Sequence, residues 1–165
     1  CLNPLHTAMS VYGCMLGYTL ICDEMKDADI VALIKRLGYV EGLPVVVNPG
    51  IKSYIAEGRD LNTLVSIPLA LAGWLRYLLA VDDNGNAFEV SADPLKDDLQ
   101  AKLAGIEVGK PETFTNQLDD ILSNASIFGT DLTKTVLADK IKAYFKAELA
   151  GPGAVRKTLH DAVNA

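Results

Sequence analysis

Apolar residues recur every three or four positions over most of this chain, in segments separated by glycine, proline, aspartate and asparagine. Residues 6–22 read as a first helix, apolar nearly all round and therefore expected at the centre of the fold. Asp27 is placed to cap a second helix with Ile30, Leu33, Ile34 and Leu37 on one face. Lys35 and Arg36 fall in its last turn and Gly38 at its end. A loop follows, with a short extended run at 45–47 and the turn signal Asn48-Pro49-Gly50. Residues 52–58 read as a short helix. Asn62 is the expected cap of a long helix over 63–81, which Pro68 in its second turn would kink mildly.

Asn84-Gly85 between short extended pieces predicts a hairpin. The spacing of Asp82, Asn84 and Asn86 resembles the start of a calcium loop. Ala87 and Asp93 stand where such a loop needs glycine and glutamate, so calcium is excluded. Pro94 opens a helix carrying Leu95, Leu99 and Leu103, and Pro111-Glu112 opens another with Phe114, Leu118, Ile121 and Leu122 inward. Thr130 or Asp131 caps a helix over 132–150 whose apolar row is Val136, Leu137, Ile141, Tyr144, Phe145 and Leu149. Gly151-Pro152-Gly153 stops it, and a last helix covers 154–163. The expected fold is all-α, a helical bundle with one small β-hairpin, forming one domain over 1–165.

Composition narrows the classes. The 165 residues are 50% hydrophobic and 22% charged, enough for one real core. Net charge is −6 and the basic pairs are Lys35-Arg36 and Arg156-Lys157, too little for a phosphate backbone to hold, so no nucleic-acid partner is expected. Cys1, Cys14 and Cys22 show no metal-ligand spacing and read as buried thiols in a reducing cytoplasm. Residues 6–22 are short for a membrane span, and 64–81 carry Ser66, Pro68 and Arg76, so no membrane segment is expected. No GxGxxG, P-loop, nucleophile elbow or HExxH is present, which leaves a nucleotide cofactor without a recognisable seat.

Candidate chemistry concentrates at the start. His160, beside Arg156, Lys157 and Asp161, reads as a solvated histidine. Asn3 and His6 are one helical turn apart, with Ser10 one turn beyond. They allow two readings. In one, Asn3 caps a helix with Pro4 at its first position, and His6 bonds backbone. In the other they grip an oxygen-bearing substrate, Asn3 donating to a developing alkoxide, His6 orienting a hydroxyl and Ser10 extending the polar line.

The stretch "CLNPLHTAMSVYGCMLGY" resembles the polyol-specific long-chain dehydrogenase family, the mannitol dehydrogenase and fructuronate reductase (mannonate oxidoreductase) group. That family shows a lysine, four residues, an asparagine, two residues and a histidine, and Asn3 and His6 match the last two. A second match is "GWLRYLLAVDDNGNAFEVSADP", with Trp74, Arg76, Tyr77, Asp82, Gly85, Asp93 and Pro94. The resemblance implies a helical C-terminal domain like that of 6-phosphogluconate dehydrogenase, behind an NAD-binding Rossmann domain, with the active site between the two. It implies metal-free hydride transfer between NAD or NADP and a secondary alcohol of a polyol or sugar acid. The lysine is then general base, Asn3 stabilises the alkoxide and His6 binds and orients substrate.

The chain also departs from the pattern. The family's lysine would precede Cys1, and the Rossmann half is not in this sequence, so the chain is expected to be inactive alone. "VVVNPG" runs directly into "IKSYIAEGRDL", so a substrate-contacting segment is expected to be missing near 51–52. Lys52 or Arg59 is then a candidate partner for a substrate carboxylate. The alternative is a freestanding helical interaction module without catalysis.

Overall fold

The computed structural model describes residues 2–42 and 51–165, with backbone alone for residues 2–4. The extended run at 45–47, the turn at Asn48-Pro49-Gly50 and Cys1 lie outside the described residues.

Helix α1 (Leu2–Met15) is shorter than the periodicity predicts. It ends in a Schellman motif: Tyr18 N–H donates to Gly13 O at 2.8 Å and Gly17 N–H to Cys14 O at 3.1 Å, with Gly17 at φ +84°. A separate short helix, α2 (Ile21–Glu24), follows. Gly13 is needed for packing, because a Cβ there would lie 2.1 Å from Glu24 Oε1. The burial expected of the thiols is not found at the two described cysteines: the early stop of α1 leaves Cys22 exposed, and Cys14 is half-buried within α1.

Asp27 caps α3 (Ala28–Lys35) as expected, accepting from Asp29 and Ile30 N–H. Gly38 does not end the helical path, which continues as a π-helical turn, Arg36–Gly42. After α4 (Ile51–Ala56), Asp60 and not Asn62 caps a short 3-10 turn, Leu61–Thr63. Helix α5 (Ser66–Tyr77) therefore starts later than expected. Pro68 falls in its first turn, where a missing N–H costs nothing and no kink is required.

The predicted hairpin is reduced to one antiparallel bridge, Val81 with Ala87, around a turn in which Gly85 has φ +89°. The segment after Pro111 is not one helix. It is a 3-10 turn, Pro111–Thr113, then α7 (Asp119–Leu122) and α8 (Ala125–Phe128), after α6 (Lys96–Lys102). Phe114, Leu118, Ile121 and Leu122 are nonetheless all buried. Asp131 caps a 3-10 turn, Leu132–Lys134, and Thr135 caps α9 (Val136–Glu148). The expected stop at Gly151-Pro152-Gly153 precedes α10 (Ala154–Val163).

The central helix is α5, not α1. Its most extensive packing is on α9, and it also meets α1, α10 and the π-helical turn. One core cluster joins α4, α5, α6, α7 and α9 through residues such as Leu75, Leu118, Ile141 and Phe145. The other joins α1, α3 and α10 through Tyr12, Leu33 and Leu159, with Leu69 of α5. The fold is all-α.

Candidate active site

Helix α1 is amphipathic. Ala8, Met9, Val11, Tyr12 and Met15 are buried, while His6, Thr7 and Ser10 form an exposed polar stripe. The expectation of a helix buried on every side therefore fails at the end that carries the candidate chemistry. His6 and Ser10 stand one turn apart, and Asn3 precedes His6 by a turn in the helical backbone. Asn3 lies inside α1, so it does not hold the non-helical position of a cap.

The buried side of α1 is held by polar contacts the sequence did not announce. The Tyr12 hydroxyl lies 2.9 Å from Leu69 O on α5 and 2.7 Å from Glu148 Oε1 on α9. Glu148 is fully buried, and burial pushes its carboxyl up to about 8 against the opposing effects of Tyr12 and Arg76. Burial first, then the adjacent Glu148, likewise raises Tyr12 well above its ordinary value. The signal in the sequence is that Glu148 sits at helical spacing from Ile141 and Phe145, on the face that packs inward.

The second family-like motif is a structural clasp. Arg76, 1% exposed, donates to Glu148 O at 3.2 Å and to Val81 O at 2.7 Å. Tyr77 accepts from Ser91 N–H at 2.9 Å, and Asp82 Oδ1 accepts from Asn84 and Asn86 N–H inside the turn. Trp74 meets the Phe128 ring edge-on at 6.4 Å. Asp93 Oδ1 accepts from Leu95 N–H at 2.7 Å. The contacts of this motif run to α9, the turn after α5 and Phe128, and it thereby braces α5 and that turn.

Two buried carboxylates outside any motif also organise the fold. Glu41 accepts from the first N–H groups of α5, and Asp83 accepts from Val155 and Arg156 N–H at the start of α10. With Asp27 on α3 and Thr135 on α9, the N-termini of α3, α5, α9 and α10 are all occupied by the chain's own side chains. A pyrophosphate, which binds open helix N-termini, has no seat at these four.

His160 is exposed and lies 3.0 Å from Asp29, within the Arg156–Asp27 pair that joins α3 to α10. Lys52 is exposed on α4. Arg59 pairs with Glu57 at 2.6 Å and lies over the Tyr54 ring. Neither is brought to His6 by these contacts. Among the described residues, no cluster of three His, Cys, Asp or Glu could hold a metal, and no helix is long and apolar enough to cross a membrane.

No protein-family model matches the chain. Similarity to individual proteins is strong. D-mannonate oxidoreductase of Thermotoga maritima is 36% identical over 208 residues, covering 99% of this chain and 38% of that protein. Mannitol 2-dehydrogenase of Pyricularia oryzae is 40% identical over 90 residues, covering 54% of this chain and 16% of its own length. The mannitol 2-dehydrogenase of Pseudomonas fluorescens, solved as a ternary complex with NAD and D-mannitol, superimposes with a TM-score of 0.75. It is 18% identical, with 99% of this chain and 39% of that one covered. The chain thus spans well under half the length of these relatives. By this similarity the chain belongs to the polyol-specific long-chain dehydrogenase family, whose C-terminal helical region it matches.

Proposed function

We propose that this chain is the substrate domain of an NAD(P)-dependent oxidoreductase acting on a secondary alcohol of a polyol or sugar acid, mannitol or mannonate in type. The observation that carries the reading is the 36% identity to D-mannonate oxidoreductase along 99% of the chain. It disfavours the interaction-module alternative. Exposure of His6 and Ser10 on one face of α1 supports their contact with a substrate, and Asn3 belongs to the same first turns.

In this reading Asn3 donates a hydrogen bond to the alkoxide that develops as hydride leaves the carbinol carbon. His6 orients the hydroxyl, and Ser10 extends the polar line. The general base is a lysine upstream of Cys1. A bound nicotinamide supplies the hydride acceptor. The capped N-termini of α3, α5, α9 and α10 support seating that cofactor mainly on a Rossmann domain outside this chain.

The match to D-mannonate oxidoreductase runs over 208 residues, more than the 165 of this chain. That supports a segment of the relatives without a counterpart here, which we place near 51–52.

The test is turnover by the full-length protein with NADH on fructose, fructuronate and tagaturonate. Asn3→Ala is expected to lower kcat by roughly 10²–10³, as loss of an oxyanion donor does. His6→Ala should weaken both substrate binding and catalysis. Parent-like kinetics in both variants would defeat the assignment.

A further inference from the structure

We propose that Glu41 is a positioning residue for the His6 end of α1, acting through the π-helical turn that it clamps to α5. The proposal rests on the reading that His6 contacts substrate. Glu41 is 2% exposed, and its Oε1 accepts from Val65 N–H at 2.9 Å and Ser66 N–H at 2.7 Å. Its Oε2 accepts from Ile67 N–H at 2.7 Å, and Arg36 Nε lies 3.4 Å from Oε1. Pro68 has no N–H, and Leu69 N–H bonds Val65 O at 3.1 Å, so Glu41 completes the polar accounting of the α5 start. Charge and dipole both favour a carboxylate at that place.

The turn that delivers Glu41 departs from local preference. Tyr39 and Val40 are 72% and 61% exposed, while the neighbouring glutamate is inside. Burying the charge and exposing the apolar pair inverts the usual order, and such violations concentrate where function demands them. Single π-helical turns carry the same association. Gly42 makes the geometry possible, and Gly38 meets α1 in ordinary van der Waals contact. A Cβ at Gly42 would lie 2.7 Å from Leu37 O, and a Cβ at Gly38 would lie 3.4 and 3.6 Å from the two methyls of Leu5. The Gly38 backbone is thus the floor beneath Leu5, and Leu5 is the residue before His6. The clamp at Glu41 holds that floor against the central helix.

The experiment uses the full-length protein and measures kcat, KM for the carbohydrate, KM for NADH and Tm. Glu41→Gln is expected to lower kcat/KM for the carbohydrate roughly ten- to a hundred-fold, the scale of a small misplacement of reacting groups, with KM for NADH unchanged. Glu41→Asp should restore part of the loss. Gly38→Val pushes on Leu5 without touching the α5 cap and should give the same split between the two KM values. Parent-like carbohydrate kinetics in Glu41→Gln and Gly38→Val, whatever their Tm, would overturn the proposal. Selective 13C labelling of the histidine rings, with His6 assigned from a His6→Asn variant, gives a readout independent of turnover. Glu41→Gln should move the His6 signal and leave His160 in place, and an unmoved His6 signal refutes the positioning role. A parent that turns over no sugar, alongside a shifted His6 signal, would instead defeat the functional reading alone.

Discussion

The Tyr12 hydroxyl has one proton and two oxygen neighbours, Leu69 O at 2.9 Å and Glu148 Oε1 at 2.7 Å. Both oxygens accept, so the one hydroxyl proton is shared between Leu69 O and Glu148 Oε1 and satisfies each only in part. That single shared donor does not offset the burial of Glu148, whose carboxyl is pushed up to about 8. Its Oε2 has no hydrogen-bond partner, which a neutral carboxyl tolerates better than a carboxylate. Gly73 makes room for the arrangement, since a Cβ there would lie 2.6 Å from the Tyr12 ring. Because the folded pKa lies above the ordinary 4.5, this group's stabilising contribution is complete below 4.5 and is lost as pH rises through about 8. Glu148→Gln, which cannot ionise, should flatten that decline. Urea unfolding midpoints across this range decide it, and an unchanged slope would show that Glu148 is not the titrating group. Glu148 stands at apolar spacing, but its burial follows from the pairing with Tyr12, 136 positions away, which no local pattern encodes.

Among the described residues, the helix starts that side chains cap are of two kinds. Asp27, Asp60, Asp131 and Thr135 cap the next few residues of their own segment, a signal contained in a short window. The starts of α5 and α10 are held by carboxylates from elsewhere, Glu41 across 24 to 26 positions and Asp83 across 72 and 73. That is why the start of α5 was misplaced at Asn62, and why Gly38 looked like an end. Asp83 is 6% exposed and joins three elements. Its N–H donates to Met15 O at 2.8 Å, its own O accepts from Gly153 N–H at 2.9 Å, and its carboxylate caps α10. Asp83→Ala keeps the two backbone bonds but leaves the Val155 and Arg156 N–H groups without the carboxylate, and is expected to cost about 2 kcal/mol or more, with Asp83→Asn intermediate. Denaturant midpoints at neutral pH measure this. A loss below about 0.5 kcal/mol, the range of ordinary surface changes, would remove Asp83 from the role of clasp.

Over the whole molecule, charged groups set a stability curve unlike that of a typical acidic protein. Asp27 is 6% exposed at its side chain and pairs with Arg156 at 2.6 Å. Burial alone would raise its pKa, but hydrogen bonds from Arg156, Ile30 N–H and Tyr18 outweigh it and hold the carboxyl well below its ordinary 3.8. Its contribution is present above 3.8 and is lost as pH falls below that value. Glu148 acts in the opposite sense from 4.5 upward, and burial raises Glu24 in the same direction. The chain should therefore be most stable near pH 4 to 5, between the ordinary values 3.8 and 4.5 of these two carboxyls. Thermal unfolding across pH 3 to 9 checks it, and a maximum at or above neutrality would contradict it.

Helical periodicity, the cap at Asp27, the all-α class and, through Asn3, His6 and the Trp74–Pro94 motif, the family are written in the chain. Those features are encoded within a turn or two of chain, where spacing reports the structure directly. Packing is what makes α5 central, turns a polar stripe of α1 outward at His6 and Ser10, and points Glu41, Asp83 and Glu148 inward. A carboxylate is buried only where distant N–H groups, a hydroxyl or a guanidinium meet it, and that meeting is a property of packing.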